Sequence, residues 1–301
     1  MAGGEPEAMR TESDKRTVYK TDCSDSISLK NAYKEGKEIL AKAGITEADL
    51  DAWYLLEFVT GITKARYYMD PDQSMDPEAW EKYKEYLEKR RNHIPLQHIT
   101  GSQEFMGIEF EIDENVLIPR QDTEILVSEV YKLCQNKNVL DMCTGSGCIA
   151  ISIAKDGKAK SVTACDISEK ALIVAENNNK RLGTFVHFIK SDLWTNIDGV
   201  YDIIVSNPPY ITEDEMKLLM PEVKEHEPRI ALSGGRDGLD FYRRIINEAK
   251  AHLTENGHIL FEIGCFQAVR VSGLLHEAGF ENIRVVKDLA GLDRVVMADV
   301  K

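Results

Sequence analysis

The sequence predicts an α/β fold: a doubly wound, mostly parallel seven-stranded sheet with an antiparallel C-terminal hairpin, preceded by a small helical bundle. Three observations predict it. From about residue 119 onward, strand-like runs alternate with helix-length segments, the pattern of a sheet covered on both faces. The last two strand candidates, 282–287 and 293–299, are joined only by residues 288–292. That is far short of the roughly twelve residues a parallel crossover needs, so they must pair antiparallel. Before about residue 94 the chain carries helix starts and stops.

Taken in order, residues 1–25 are polar with few apolar anchors and are expected to be a disordered tail. Residues 26–94 read as the helical domain. Ser28 can cap a first helix, and Gly44 stands where a C′ glycine belongs. Thr46 can cap the next, with Asp49 at N3, and Gly61 ends it. Asp76-Pro77-Glu78 supplies a cap, a first-turn proline and an acid for a helix running towards Asn92. Its basic stretch from Lys82 to Arg91 interleaves with Glu81, Glu85 and Glu88, which reads as a solvated face. Residues 95–118 read as a β-hairpin linker, because the run after Gly107 alternates apolar and polar. Residues 119–301 form the α/β domain, with strands at 138–142, 161–165, 185–190, 201–205 and 257–262 before the final pair. Helices are expected at 122–134, 147–155, 168–181, 238–253 and 267–278.

Composition narrows the class. The 301 residues suggest about two domains. The net charge of −14 argues against a broad phosphate-binding face, so no direct nucleic-acid contact is expected. No apolar run approaches the roughly 20 residues of a membrane span, and the N-terminus lacks a signal-peptide stretch. A soluble, cytoplasmic protein is expected, with no membrane partner. Cys23, Cys134, Cys143, Cys148, Cys165 and Cys265 form no CxxC pair and no metal spacing, so neither a metal nor a disulfide is expected.

Four motifs carry chemistry. The strand Val139-Leu140-Asp141-Met142 runs into Cys143-Thr144-Gly145-Ser146-Gly147. Glycines there permit a sharp turn and close approach of a ligand, and the next helix offers free N–H groups. A glycine turn alone also fits nicotinamide or flavin cofactors. Asp166 ends the following strand, about 20 residues beyond Gly145, where an acid can accept from both hydroxyls of a ribose. The plain alternative is a helix cap, and the two roles can coexist. After the next strand, Asp192 can reach an adenine amino group and Trp194 can cover the ring; the alternative is a cap and a buried aromatic. The decisive motif is Asn207-Pro208-Pro209-Tyr210, at the carboxyl end of the buried strand Tyr201-Asp202-Ile203-Ile204-Val205. Ligands bind at such ends. Prolines lack N–H donors, so an Asn oxygen and a Pro208 carbonyl can together hold both hydrogens of an amino group, with the Tyr ring stacked behind it.

That tetrapeptide resembles the motif of methyltransferases acting on adenine, cytosine or glutamine-amide nitrogen. The wider chain resembles the HemK/PrmC family through Pro95-Leu96-Gln97-His98-Ile99-Thr100-Gly101, Phe105, Ile118-Pro119-Arg120 and Asp122-Thr123-Glu124. Ala231-Leu232, Gly234-Gly235, Asp237-Gly238-Leu239 and Phe241-Tyr242 also match. The resemblance implies a Rossmann-like class I methyltransferase fold and S-adenosylmethionine as cofactor. It implies peptide-chain release factors as substrate, methylated at N5 of the glutamine in a Gly-Gly-Gln motif. Cys143, Thr144, Gly145, Ser146, Gly147, Asp166, Asp192, Trp194 and Asn207 would then hold the cofactor. Asn207, Pro208, Pro209 and Tyr210 would hold the glutamine amide, with Asn207, Pro208 and Tyr210 catalytic. The helical domain would recognise the protein substrate. The family usually has glycine where this chain has Cys143. If φ is positive there, the cysteine is strained by about 1–2 kcal/mol. Alternative readings are an N6-adenine DNA or RNA methyltransferase, a ribosomal-protein glutamine methyltransferase, or a cofactor-binding scaffold without catalysis.

Overall fold

A computed structural model describes Met1 and residues 27–301. The expectation for residues 2–25, and Cys23 with them, lies outside the described residues.

The helical domain opens with α1 (Leu29–Lys42), where Ser28 Oγ accepts from Asn31 N at 3.3 Å. The second helix, α2 (Ala48–Thr60), starts one residue later than read. Glu47 is its N-cap, so Thr46 does not cap it and Asp49 falls at N2. Gly61 ends it at φ 67°. A short helix, α3 (Lys64–Met69), escaped the sequence reading because six residues carry no helical period. In α4 (Pro77–Arg91), the Asp76 carboxylate accepts from Glu78 N and Ala79 N at 2.9 and 3.1 Å. Lys84, Lys89 and Arg91 pair with nearby acids on the surface, as read. Arg90 does not: it is buried and pairs with Asp51 at 2.7 Å and Glu222 at 2.9 Å.

Next come α5 (Leu96–Thr100), unread from sequence, and the hairpin β1 (Ser102–Phe105) and β2 (Ile108–Glu111). Met106 and Gly107 both have positive φ, as a tight hairpin turn requires. Phe105, Ile108 and Phe110 pack into the core of the α/β domain, whereas Leu96 and Ile99 pack on the bundle. The hairpin is therefore part of the α/β core, and the physical seam between the domains lies near Gly101.

The α/β domain runs α6 (Thr123–Tyr131), β3 (Asn138–Met142), α7 (Cys148–Asp156), β4 (Ser161–Asp166), α8 (Glu169–Leu182), β5 (Val186–Lys190) and β6 (Tyr201–Ser206). It continues with α9 (Pro221–His226), α10 (Arg229–Leu232), α11 (Asp240–Ala249), β7 (Leu253–Glu262), α12 (Ala268–Glu277), β8 (Glu281–Lys287) and β9 (Asp293–Asp299). The seven strands order as β5-β4-β3-β6-β7-β9-β8. The first five are mutually parallel, and β9 runs antiparallel to both neighbours. Period two sorts the strand residues onto two faces. Leu140, Met142, Ile204 and Phe261 pack towards α11 and α12, while Val139, Ile203, Val205 and Leu260 pack towards α6 and α7. Chain order reverses between β3 and β6, which puts a crevice at their carboxyl ends. Among the described residues no helix is long and apolar enough to cross a membrane.

The bundle core tests one packing constraint. A Cβ on Gly36 would lie 2.1 Å from Tyr83 Oη. Tyr83 is fully buried and its hydroxyl donates to Ala52 O at 3.0 Å, so the ring cannot swing aside cheaply. Gly36→Ala gains about 1 kcal/mol of helix propensity but overpacks a close-fitted core, at about 1–3 kcal/mol. Net destabilisation is expected in chemical denaturation. A stabilised variant would show that the bundle repacks freely.

Candidate active site

Four strand ends, those of β3, β4, β5 and β6, build the site. After β3 the chain turns through Cys143 at φ 61°, Gly145 at φ 55° and Gly147 at φ 80°. The condition set by the sequence is therefore met: Cys143 sits in the left-handed region. A Cβ on Gly145 would meet nothing within 4 Å, whereas one on Gly147 would lie 2.9 Å from Ile151 and 3.1 Å from Ala175. Gly147 thus serves the close packing of α7 on α8. Thr144 donates to the buried Asp141 at 2.6 Å, and Ser146 is buried.

Asp166, at the end of β4, ties this turn in place. Its Oδ2 accepts from Gly145 N and its Oδ1 from Ser168 N, both at 2.9 Å. The cap of α8 is Ser168, whose Oγ accepts from Ala171 N. Burial raises the Asp166 carboxyl, and the Ser168 and Gly145 N–H groups pull it back.

Cys143, Gly145, Asp166, Asp192, Asn207 and Pro209 line one cleft, with an empty volume of about 830 Å³ counting its mouth. Thr144, Ser146, Gly147, Pro208 and Tyr210 lie outside its lining. Trp194 does too, and its expected role as a ring cover is corrected. Leu193 takes φ 50° and enters the wall itself, while the indole turns into the core. There Trp194 Nε1 donates to Ile245 O at 3.1 Å, and the ring stacks on His252 with centroids 4.4 Å apart. Asp192 pairs with Arg244 at 2.8 Å.

Asn207 follows β6. Its Nδ2 donates to Thr123 Oγ1 at 3.3 Å, which leaves Oδ1 as the accepting end of the amide. Tyr210 faces the other side of the motif, into a second cleft shared with Leu218 and Phe266. Its phenol donates to Glu262 Oε1 at 3.3 Å, and burial raises its pKa, so it stays a neutral donor. Its carbonyl accepts from Gln267 Nε2 at 3.0 Å.

Sequence reasoning missed several wall residues. Asn115, Val116 and Leu117 come from the stretch read as linker, and Phe241 and Arg244 come from α11. Phe241 and Arg244 stand three apart, the spacing of one helix face, and the guanidinium lies 6.0 Å from the ring centroid. Nothing in the sequence says that this face looks into a cleft.

Asp141 is fully buried beneath the turn, and burial pushes it up to about 7. Its Oδ1 has no partner among the described residues. A carboxyl raised above its unfolded value loses stability as pH climbs from the unfolded pKa to the folded one, because the unfolded chain ionises first. Asp141→Asn does not ionise. Its melting temperature should therefore gain on the wild type as pH climbs from about 4 to about 7. A difference independent of pH would show that Asp141 is ionised in the fold throughout.

Comparison with known proteins adds to this geometry. The family model of the PrmC N-terminal domain matches residues 31–101, and that of the methyltransferase small domain matches residues 120–225. A release factor glutamine methyltransferase of Clostridium botulinum is 41% identical over 278 residues, covering 90% of this chain and 98% of the relative. One of Clostridium acetobutylicum is 42% identical over 280 residues, with the same coverage. A solved methyltransferase structure from Pyrococcus furiosus is similar in fold, with a TM-score of 0.52 at 18% identity over 65% of this chain and 90% of that one.

Proposed function

We infer the function from the family to which this chain belongs, the release factor glutamine methyltransferases. The enzyme transfers a methyl group from S-adenosylmethionine to the side-chain amide nitrogen of the glutamine in the Gly-Gly-Gln motif of release factors. One observation carries the reading at the level of the site: Asn207 lines the same cleft as the Gly145 turn and Asp166.

The cleft suits the cofactor. Gly145 leaves open space where a side chain would intrude. Each Asp166 oxygen accepts one backbone N–H and keeps a lone pair for a ribose hydroxyl. Ile167 and Leu193 offer apolar wall to the adenine. When bound, S-adenosylmethionine supplies an electrophilic methyl group on a sulfonium centre.

The chain's own residues must then activate a poor nucleophile, because the amide lone pair is delocalised into its carbonyl. Asn207 Oδ1 and the Pro208 carbonyl accept the two N–H bonds of the glutamine amide. Those contacts favour a pyramidal nitrogen, direct its lone pair and stabilise the positive charge that develops on it. The N-methylated amide then carries one surplus proton; as a strong acid it gives that proton to solvent, so no strong base is required. Tyr210 faces the second cleft, where exposed Leu218 and Phe266 offer apolar contact to the backbone flanking the glutamine. The helical domain supplies the remaining recognition of the release factor.

Asp166→Ala should weaken S-adenosylhomocysteine binding by roughly 1.5–3 kcal/mol, the worth of charge-assisted hydrogen bonds to the ribose. Calorimetric titration measures it, and unchanged affinity removes Asp166 from the site. Asn207→Ala should lower the single-turnover rate by about 10²–10³ while largely keeping cofactor affinity. Asn207→Asp retains an acceptor and should keep more activity than Ala. A wild-type rate in Asn207→Ala would return the tetrapeptide to the status of a structural turn.

A further inference from the structure

Behind the acceptor motif lies a buried acid that the chemistry above does not use. Glu262 ends β7 and is 1% exposed. Its Oε1 accepts the Tyr210 phenol at 3.3 Å, and its backbone carbonyl accepts from the buried Tyr242 at 2.8 Å. Its Oε2 is buried with no hydrogen-bond partner among the described residues. Thr123, at the start of α6, faces the same carboxyl and favours its charged form. The same Thr123 hydroxyl accepts from Asn207 Nδ2 at 3.3 Å. A hydroxyl that accepts one bond still has its own hydrogen to donate. An unpartnered buried carboxylate oxygen is costly, and here the donor that can satisfy it stands beside it.

We propose that Glu262 is a positioning residue for methyl transfer: through Thr123 it orients and polarises the Asn207 amide, and through Tyr210 it holds the far end of the same motif. The inference rests on the reading of Asn207 as an acceptor for the substrate amide. In this relay Asn207 donates to Thr123 and Thr123 donates to the Glu262 carboxylate. Hydrogen bonds in series polarise one another, so a negative charge at the end of the chain makes Asn207 Oδ1 a stronger acceptor. The nitrogen of the glutamine amide gains positive charge as it is methylated, and a stronger acceptor favours that charge. The Asn207 flip is fixed as well, because its NH₂ group is committed to Thr123.

The loop does not depend on Glu262 for its backbone path. Gln267 holds that path by itself: Nε2 donates to Tyr210 O at 3.0 Å and to Gly238 O at 3.2 Å, while Oε1 accepts from Gly264 N at 3.0 Å. Neutralising Glu262 should therefore change the chemistry more than the fold.

The charge of Glu262 is set by all the elements around it. Burial pushes its carboxyl up to about 7, with Thr123 of α6 and Arg294 of β9 drawing it down. Tyr210 also draws it down, and Asp122 opposes. Arg294 is shared with Asp122 and Asp288, both at 3.1 Å, so it neutralises Glu262 only through its field. Protonation of Glu262 removes the anionic end of the relay. The wild-type rate should then rise as pH climbs through about 7.

The test is single-turnover methylation of a whole release factor at saturating S-adenosylmethionine, from about pH 6 to about pH 9. Glu262→Gln should be about tenfold slower than wild type at the alkaline end, a smaller loss than for Asn207 itself. Its rate should also lose the rise near neutrality, with S-adenosylhomocysteine affinity within about twofold of wild type. Thr123→Val should lose a similar factor, and Thr123→Ser should rescue it. A Glu262→Gln enzyme that keeps the wild-type pH profile overturns the proposal, as does Thr123→Val at the wild-type rate. If Glu262→Gln does not fold, the Thr123 pair decides alone. Asn207→Ala, run alongside, separates the two readings. Wild-type turnover in that variant ends the acceptor role, whereas an inactive Asn207→Ala beside an unaffected Thr123→Val ends only the relay.

Discussion

Everything in the site depends on the parallel pairing of β3 with β6. Met142 registers with Ser206, and the Ser206 hydroxyl donates to Met142 O at 2.7 Å, locking the two strands at their carboxyl ends. The next residue on one strand is Cys143, which begins the glycine turn. The next on the other is Asn207, which begins the Asn-Pro-Pro-Tyr motif. Under the proposed function, methyl donor and methyl acceptor would thereby fall at adjacent strand ends before any side chain is considered. A slip of one residue would turn the buried sides of β6 over, taking Ile203 and Val205 out of one core and Ile204 out of the other. Two packed cores therefore hold the register on which the chemistry relies.

Much of this was legible in the sequence, and what was not has particular causes. The strands β3 and β9 fall where the apolar runs place them, because a strand buried on both faces has no other way to read. The caps Ser28 and Asp76 read correctly, since a cap is a local contract between a side chain and an N–H two or three residues on. Trp194 misled because sequence gives a residue's neighbours and not its direction. A positive φ at Leu193 rotates the indole away from the cleft, and leucine does not advertise that conformation. Gly147 was read as ligand-facing when the need for it is helix packing. Arg90 hid among surface lysines, since its partners Asp51 and Glu222 are distant in the chain. Glu262 and Thr123 were invisible as a pair for the same reason: the acid lies inside an apolar strand and the hydroxyl at the start of a helix far upstream.

The Arg90 cluster links the two domains. Glu222 of α9 accepts from Arg90 and contacts His93 at 3.2 Å, while Glu227 holds Arg120 and the Ile118 N–H. The segment between the acceptor motif and α11 is thus pinned by the helical domain on one side and by the linker on the other. Its Ile230 and Ala231 return to line the cleft shared by Asp166 and Asn207. Buried ion pairs of this kind add little net stability, because desolvation offsets much of their attraction. Their effect is geometric. They fix where the helical bundle stands relative to the cleft wall.

Cys143 poses a chemical question beyond its backbone, because it places a thiol in the wall of the cleft in which we propose the electrophilic methyl donor binds. The conformational term is small. Left-handed φ at a non-glycine costs about 1–2 kcal/mol, and glycine at the same place would add about 0.4–1 kcal/mol of unfolded-chain entropy to overcome. The second offsets about half of the first, and the remainder is small enough for the fold to tolerate the cysteine. Reactivity is governed by protonation, since the thiolate and not the thiol is the nucleophile. Burial pushes the Cys143 thiol well up, and the carboxylates of Asp166 and Asp141 and the neighbouring Cys165 push it further. At neutral pH the sulfur therefore stays protonated and a poor competitor for the methyl group. The acid that anchors the glycine turn thus has a second consequence: it helps keep the thiol in that turn inert.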